Sequence, residues 1–174
     1  MTRYVALLRN IGPVTHAKMP LGELAERCAA AGLSDVVNVG NTGNLVFASG
    51  QSQAAVEAIV GKAVATFGVG SEVFTRTLRQ IQMLVGLAPF PDAAADHPSR
   101  LGICFFHKDP RWPEAYRNYA GPERLKMFSN HLIVDYGGGI SASRLTVEKT
   151  VGARMTQRVW SSVLKIAQKL GLDG

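Results

Sequence analysis

Four polar residues near the start of the chain are placed where they can meet. Arg9 and Asn10 follow the apolar run Tyr4 to Leu8, and Asn41 and Asn44 bracket Thr42 and Gly43 in a turn-forming segment. An arginine flanked by amides presents many donors and few competing acceptors, which suits a carboxylate or a phosphate. Polar loops on a rigid scaffold are where binding chemistry usually resides. The same residues also have a plainer use, because Asn and Gly supply the positive φ that turns demand. A second set lies at Gly137-Gly138-Gly139 and Ser143-Arg144. Glycines ahead of a helix let backbone amides approach an anion, and the helix dipole adds to the attraction. The P-loop spacing is missing, and a turn followed by an N-cap serine explains the same run. The third set is Arg158, Ser162, Lys165 and Lys169, at spacings of four, three and four, with Arg154 upstream. On a helix these share one side, opposite Val159, Trp160, Val163, Ala167 and Leu170. Such a basic stripe can track a phosphate backbone, and a solvated helix face produces the same pattern.

Trp112, Tyr116 and Tyr119 lie among Arg111, Arg117, Arg124 and Lys126. Interleaved aromatic and basic residues stack bases or sugars in some proteins and simply pack in others. Enzyme signals are poor. There is no Gly-x-Ser-x-Gly elbow, no His-Glu-x-x-His and no dinucleotide-binding glycine pattern. His16, His97, His107 and His131 are scattered, with no metal-ligand spacing, so neither a metal nor a cofactor is expected. Cys28 and Cys104 sit in apolar segments without a Cys-x-x-Cys spacing, which reads as two buried thiols in a reducing cytoplasm.

The elements that would hold these residues follow from periodicity. Arg3 to Leu8 reads as a central strand. Pro20 opens a helix with Leu21, Leu24, Ala25, Cys28 and Ala29 on one face, closed by Gly32. Asp35–Val39 and Asn44–Ala48 form a hairpin, and Ser52 caps a helix with Val56, Ile59, Val60, Ala63 and Phe67 inward. Glu72–Thr77 is a further strand. The order β-α-β-β-α-β is that of the ferredoxin-like plait. A helix follows from Leu78 to Val85, and then a Pro- and Ala-rich connector from Leu87 to Ser99. Arg100–Phe106, Glu123–Ser129 and His131–Tyr136 read as strands. A helix is expected after Pro113, another over Ser143–Val151 and a last over Thr156–Leu170. The second half thus repeats the theme of the first without any residue-level repeat.

With 174 residues and 47% hydrophobic content, the chain can build a core without disulfides. Its net charge is +6, and residues 136 to 174 carry six basic and two acidic side chains. A basic balance attracts nucleic acid or phosphorylated ligands, and it also makes an ordinary soluble surface. The first apolar run spans only five residues, too short for a signal core or a membrane span.

The opening Tyr-Val-Ala-Leu-Leu-Arg strand, the Gly-Asn-Thr-Gly-Asn-Leu-Val-Phe hairpin and the Ala-Pro-Phe-Pro connector stand in a familiar order. Ser143-Arg144-Leu145 and Thr156-Gln157-Arg158-Val159-Trp160 complete it. The chain resembles, over its whole length, the domain-of-unknown-function family numbered sixteen ninety-seven. That resemblance implies two packed α+β plait subdomains in a bacterial cytosolic protein, and no activity. The family usually reads Arg-Gly-Ile-Asn-Val-Gly-Gly after the first strand and Gln-Ser-Gly-Asn in the hairpin. Here the segments are Arg9-Asn10-Ile11-Gly12-Pro13-Val14 and Asn41-Thr42-Gly43-Asn44.

The expectation is therefore α+β, two plait-like (ferredoxin-like) subdomains spanning 1–87 and 88–174. The function expected is binding of an anionic ligand, either single-stranded nucleic acid or a phosphorylated small molecule. The candidate residues are Arg9, Asn10, Asn41, Asn44, Ser143, Arg144, Arg158 and Lys165. The competing readings are a small-molecule enzyme with its site between the subdomains and a protein-interaction module. No membrane partner is expected, and the chain is a monomer or a homodimer.

Overall fold

The computed structural model describes residues 1–171. By compactness they divide into two units. One holds Met1–Gly86 together with residues 164–171, and the other holds Leu87–Val163.

The first unit begins with β1 (Thr2–Leu8), whose Val5, Ala6, Leu7 and Leu8 are wholly buried. Burial of both faces explains the unbroken apolar run and marks a central strand. The loop after β1 holds a short helix, α1 (Pro13–Lys18), which buries no residue and so shows no apolar periodicity. Then come α2 (Leu21–Ala30), β2 (Ser34–Asn38), β3 (Asn44–Ser49), α3 (Gln53–Ala65), β4 (Val73–Thr77) and α4 (Leu78–Gly86). The strands form one antiparallel sheet in the order β2-β3-β1-β4. Ser52 caps α3 by accepting from the Ala55 amide, as its position implies. One sheet face, with Tyr4, Ala6, Leu8, Leu45 and Phe47, joins Leu24 and Cys28 of α2 and Val56 and Val60 of α3 in one core. Leu24, Cys28, Val56 and Val60 recur at four-residue intervals, the spacing that keeps one helix face inward.

The second unit repeats this plan. The connector contains α5 (Pro91–Asp96) and a single 3-10 turn at Pro98–Arg100. After it come β5 (Leu101–Phe106), α6 (Glu114–Arg117), β6 (Arg124–Phe128), β7 (His131–Asp135), α7 (Val147–Val151), β8 (Met155–Val159) and α8 (Trp160–Gly171), the last crossing the division. Its sheet runs β6-β7-β5-β8, again antiparallel. The registers correspond. Val5 faces Val46 and Arg76 in the first sheet, and Ile103 faces Ile133 and Arg158 in the second. Two ferredoxin-like plaits with a shared register make the chain a tandem of one α+β design.

Two helices expected from sequence are corrected. Ser143–Val151 is helical only over Val147–Val151. The helix over Thr156–Leu170 is in fact β8 followed by α8, with its first four residues in the strand. The strand alternates half-buried and buried positions, with Thr156 and Arg158 inward. The second sheet needs a fourth strand beside β5, and that pairing overrides the helical spacing of the apolar residues.

Candidate ligand-binding site

The first polar set does come together along the backbone. Leu7 of β1 stands opposite Asn44, the Leu8 amide donates to the Gly43 carbonyl, and the Arg9 amide donates to the Glu72 carbonyl. His16 Nε2 donates to the Asn41 carbonyl (2.8 Å), and the Thr15 hydroxyl donates to the Asn10 carbonyl (3.2 Å). Asn10 adopts φ 59°, the left-handed conformation that Asn tolerates. Gly43 has φ 83°, and a Cβ there would lie 2.7 Å from Ile11 Cγ1, so the turn and the β1–α1 loop interlock at a glycine. The side chains do not gather in the same way. Asn10 and Asn41 are exposed and Arg9 is half-buried. Asn44 is 2% exposed, and its Nδ2 donates to the Val39 carbonyl and to Thr42 Oγ1, both at 3.0 Å. Its amide holds the hairpin turn from inside.

The basic stripe does not exist as a helix face. Arg158 is a strand residue, 6% exposed, whose guanidinium donates to Thr156 Oγ1 (2.8 Å) and to the Gln157 carbonyl (3.0 Å). Burial lowers its pKa to about 10, so it remains charged at neutral pH. Arg154, before it in the chain, and Lys165, after it, are both exposed, and Lys165 follows the exposed Leu164. The glycine run likewise precedes only a 3-10 turn at Ile140–Ala142, with no helix dipole behind it.

Ser143 and Arg144 lead instead to a cleft in the second unit. Ser143 Oγ accepts from the Leu145 amide and donates to Glu123 Oε1 (2.6 Å). Tyr119 Oη donates to the other carboxylate oxygen, Oε2 (2.5 Å). Gly121 makes that reach available, since a Cβ there would lie 2.1 Å from Tyr119 Oη. The cleft has a volume of about 460 Å³ and is lined by Tyr116, Tyr119, Glu123, Arg144, Thr146 and Thr150, among others. Its tyrosines come from α6 and the loop after it, its threonines from the start and body of α7. Tyr116 and Tyr119 meet edge to face at 6.1 Å and belong to the core with Trp112, so the aromatic set serves packing and forms one wall.

The electrostatics of this cleft are unusual. Glu123 is 7% exposed, and no cationic side chain among the described residues pairs with it. Donation from Ser143, and then from Tyr119, outweighs burial and holds its carboxyl below the ordinary glutamate range. Burial and the bond to Glu123 together push the Tyr119 phenol up to about 12. Tyr116 is 4% exposed, and its buried hydroxyl has no hydrogen-bond partner. Burial raises the Tyr116 phenol, and the neighbouring Thr150 hydroxyl, outside hydrogen-bonding geometry, opposes that only in part. Arg144 is exposed and forms no ion pair among the described residues. The sequence reading missed Glu123 because it stands at the border of β6, where it resembles the first residue of a strand. The signal was the run Tyr116, Tyr119, Glu123 followed by Ser143, visible only once the two loops are joined.

Elsewhere in this unit Asp135, 6% exposed, accepts from Arg124 Nε (2.8 Å), His97 Nε2 (3.1 Å) and the Gly137 amide (3.0 Å). This network anchors the connector to the end of β7. Cys28 and Cys104 are free and buried, and burial raises their thiols to about 11 and about 12. Among the described residues no group of His, Cys, Asp and Glu is arranged to hold a metal ion. None of the described helices is long and apolar enough to cross a membrane.

Comparison with known proteins yields a fold and a family. A search of curated proteins finds no match. Among solved structures, the conserved bacterial protein SP0830 from Streptococcus pneumoniae matches with a TM-score of 0.67 and 20% identity, over 98% of each chain. At that identity the likeness is one of fold. The family model described as a protein of unknown function (DUF1697) matches residues 1–130, which include Tyr116, Tyr119 and Glu123 but neither Ser143 nor Arg144. The match covers most of the chain rather than all of it, and the chain belongs to that family.

Proposed function

We propose that the protein binds a small ligand carrying an ammonium group, seated against Glu123 in the cleft of the second unit. The observation that carries this reading is a shielded carboxylate without a counter-cation. Burying a charge costs free energy unless a partner compensates it. Two hydroxyl donors keep Glu123 ionised, so the cleft presents a fixed negative charge beside two tyrosine rings. An ammonium group satisfies such a charge directly and gains further attraction from aromatic faces.

The sign differs from the anionic ligand expected from the polar residue sets and the basic balance. The nucleic-acid reading depended on a continuous basic helix face, and Arg158 is internal to a sheet. We assign the protein to the cytoplasm, on the strength of two buried free thiols.

Butylamine is the direct probe. Titrated into the protein at neutral pH, it should shift the backbone amide resonances of Glu123, Thr146 and Thr150 along one saturating curve. Glu123→Gln should abolish the shifts. Unmoved resonances in the wild-type protein at saturating butylamine would overturn the reading, and this arm needs no variant to fold.

A further inference from the structure

The cleft holds two opposite charges that do not pair with each other. Glu123 and Arg144 both line it, Arg144 follows directly on the serine that bonds Glu123, and yet Glu123 takes both its hydrogen bonds from hydroxyls. Arg144 meanwhile remains exposed and without an ion pair among the described residues. An arginine and a carboxylate sharing one small cleft would ordinarily join, since their forked geometry favours it. Here the local chain keeps them apart. Ser143 Oγ donates to Glu123 and accepts from the Leu145 amide, while Arg144, between Ser143 and Leu145 in the chain, forms no ion pair among the described residues.

We propose that the ligand of this cleft is dipolar, with its ammonium end at Glu123 and an oxyanion, carboxylate or phosphate, at Arg144. This rests on the ammonium reading above and adds the second charge. The guanidinium offers a planar pair of donors that matches either oxyanion, whereas an ammonium-bearing ligand without one leaves Arg144 idle. The hydroxyls of Thr146 and Thr150 line the same cleft and can serve the ligand's middle. The arrangement selects against both simple classes. A plain amine lacks the group for Arg144, and a plain anion meets the Glu123 charge.

Calorimetric titration with four named compounds tests this: butylamine, 4-aminobutyrate, phosphoethanolamine and inorganic phosphate. One or both dipolar compounds should bind at least tenfold more tightly than butylamine, and phosphate alone should not bind. A gain confined to 4-aminobutyrate names a carboxylate ligand, and one confined to phosphoethanolamine names a phosphate ester. Arg144→Ala should remove that gain, so that the dipolar compounds bind the variant no more tightly than butylamine does. Arg144→Lys should restore only part of it, because the charge returns without the fork. Arg144 is exposed and unpaired, so neither substitution threatens the fold. Equal binding of butylamine and both dipolar compounds would overturn the dipolar proposal and leave the ammonium reading standing. So would tight binding unaffected by Arg144→Ala. Failure of every amine to bind would remove both.

Discussion

Replacing Ser143 by alanine isolates the hydroxyl that does most to keep Glu123 ionised. The lost bond is a 2.6 Å donation to a carboxylate that is 7% exposed. Hydrogen bonds to charged groups contribute about 1.5–3 kcal/mol, and Ser143 itself is only half-buried. The expected loss at neutral pH is therefore at the low end, about 1–2 kcal/mol. The pH dependence sharpens the test. Glu123 has its carboxyl depressed in the folded protein, by Ser143 first and Tyr119 second. Its contribution is thus fully present above the unfolded value of about 4.3 and is lost as pH falls through the lower folded value. Without Ser143 the folded value moves back toward the ordinary one. The stability gap between wild type and variant should accordingly narrow as pH falls below about 4.3. Urea unfolding of both proteins at neutral and acid pH measures the gap. A gap that is absent at neutral pH, or one that stays constant into acid, would refute the placement of Ser143 on Glu123. Gly121→Ala provides an independent route to the same carboxylate. Its Cβ displaces Tyr119 Oη, so the Tyr119 phenol should titrate below its value of about 12 in an ultraviolet difference titration.

Three further outcomes follow from the fold. Gly43→Ala should destabilise the protein by about 1–3 kcal/mol, because φ 83° disfavours a side chain and the new Cβ would lie 2.7 Å from Ile11; thermal unfolding reads the loss. Asp135→Asn should cost about 1–3 kcal/mol at neutral pH by weakening the bonds from Arg124 and His97. Burial alone would raise Asp135, yet Arg124, the Gly137 amide and His97 hold it low, so this loss should vanish as pH falls through its depressed folded value, again by urea unfolding. Trp160→Ala should cost about 3–5 kcal/mol through the cavity left by a ring that is 5% exposed, while Lys165→Ala should stay within about 0.5 kcal/mol; paired denaturation curves compare them.

Local pattern determined much of this protein. The unbroken apolar runs at Tyr4–Leu8 and Leu101–Phe106 announce central strands, because a strand covered on both faces has no polar alternation to show. The Ser52 cap and the four-residue spacing of Val56 and Val60 are equally local, since a helix forms its hydrogen bonds within itself. The hairpin at Asn44 and the β-α-β-β-α-β order follow from turn chemistry, and from them comes the plait.

Tertiary structure decided the rest. Residues 155–159 carry a helical spacing of apolar groups, and only a vacant place beside β5 makes them a strand. That pairing turns Arg158 from a surface cation into an internal one, a reversal no window of neighbouring residues can register. Asn44 has the type of a ligand donor, and its turn consumes it. Glu123 and Ser143 lie twenty residues apart in separate loops, each unremarkable alone. Their meeting depends on long-range packing of β6, β7 and α7, which sequence periodicity does not encode, because periodicity reports which face of an element is buried and not what that face will touch.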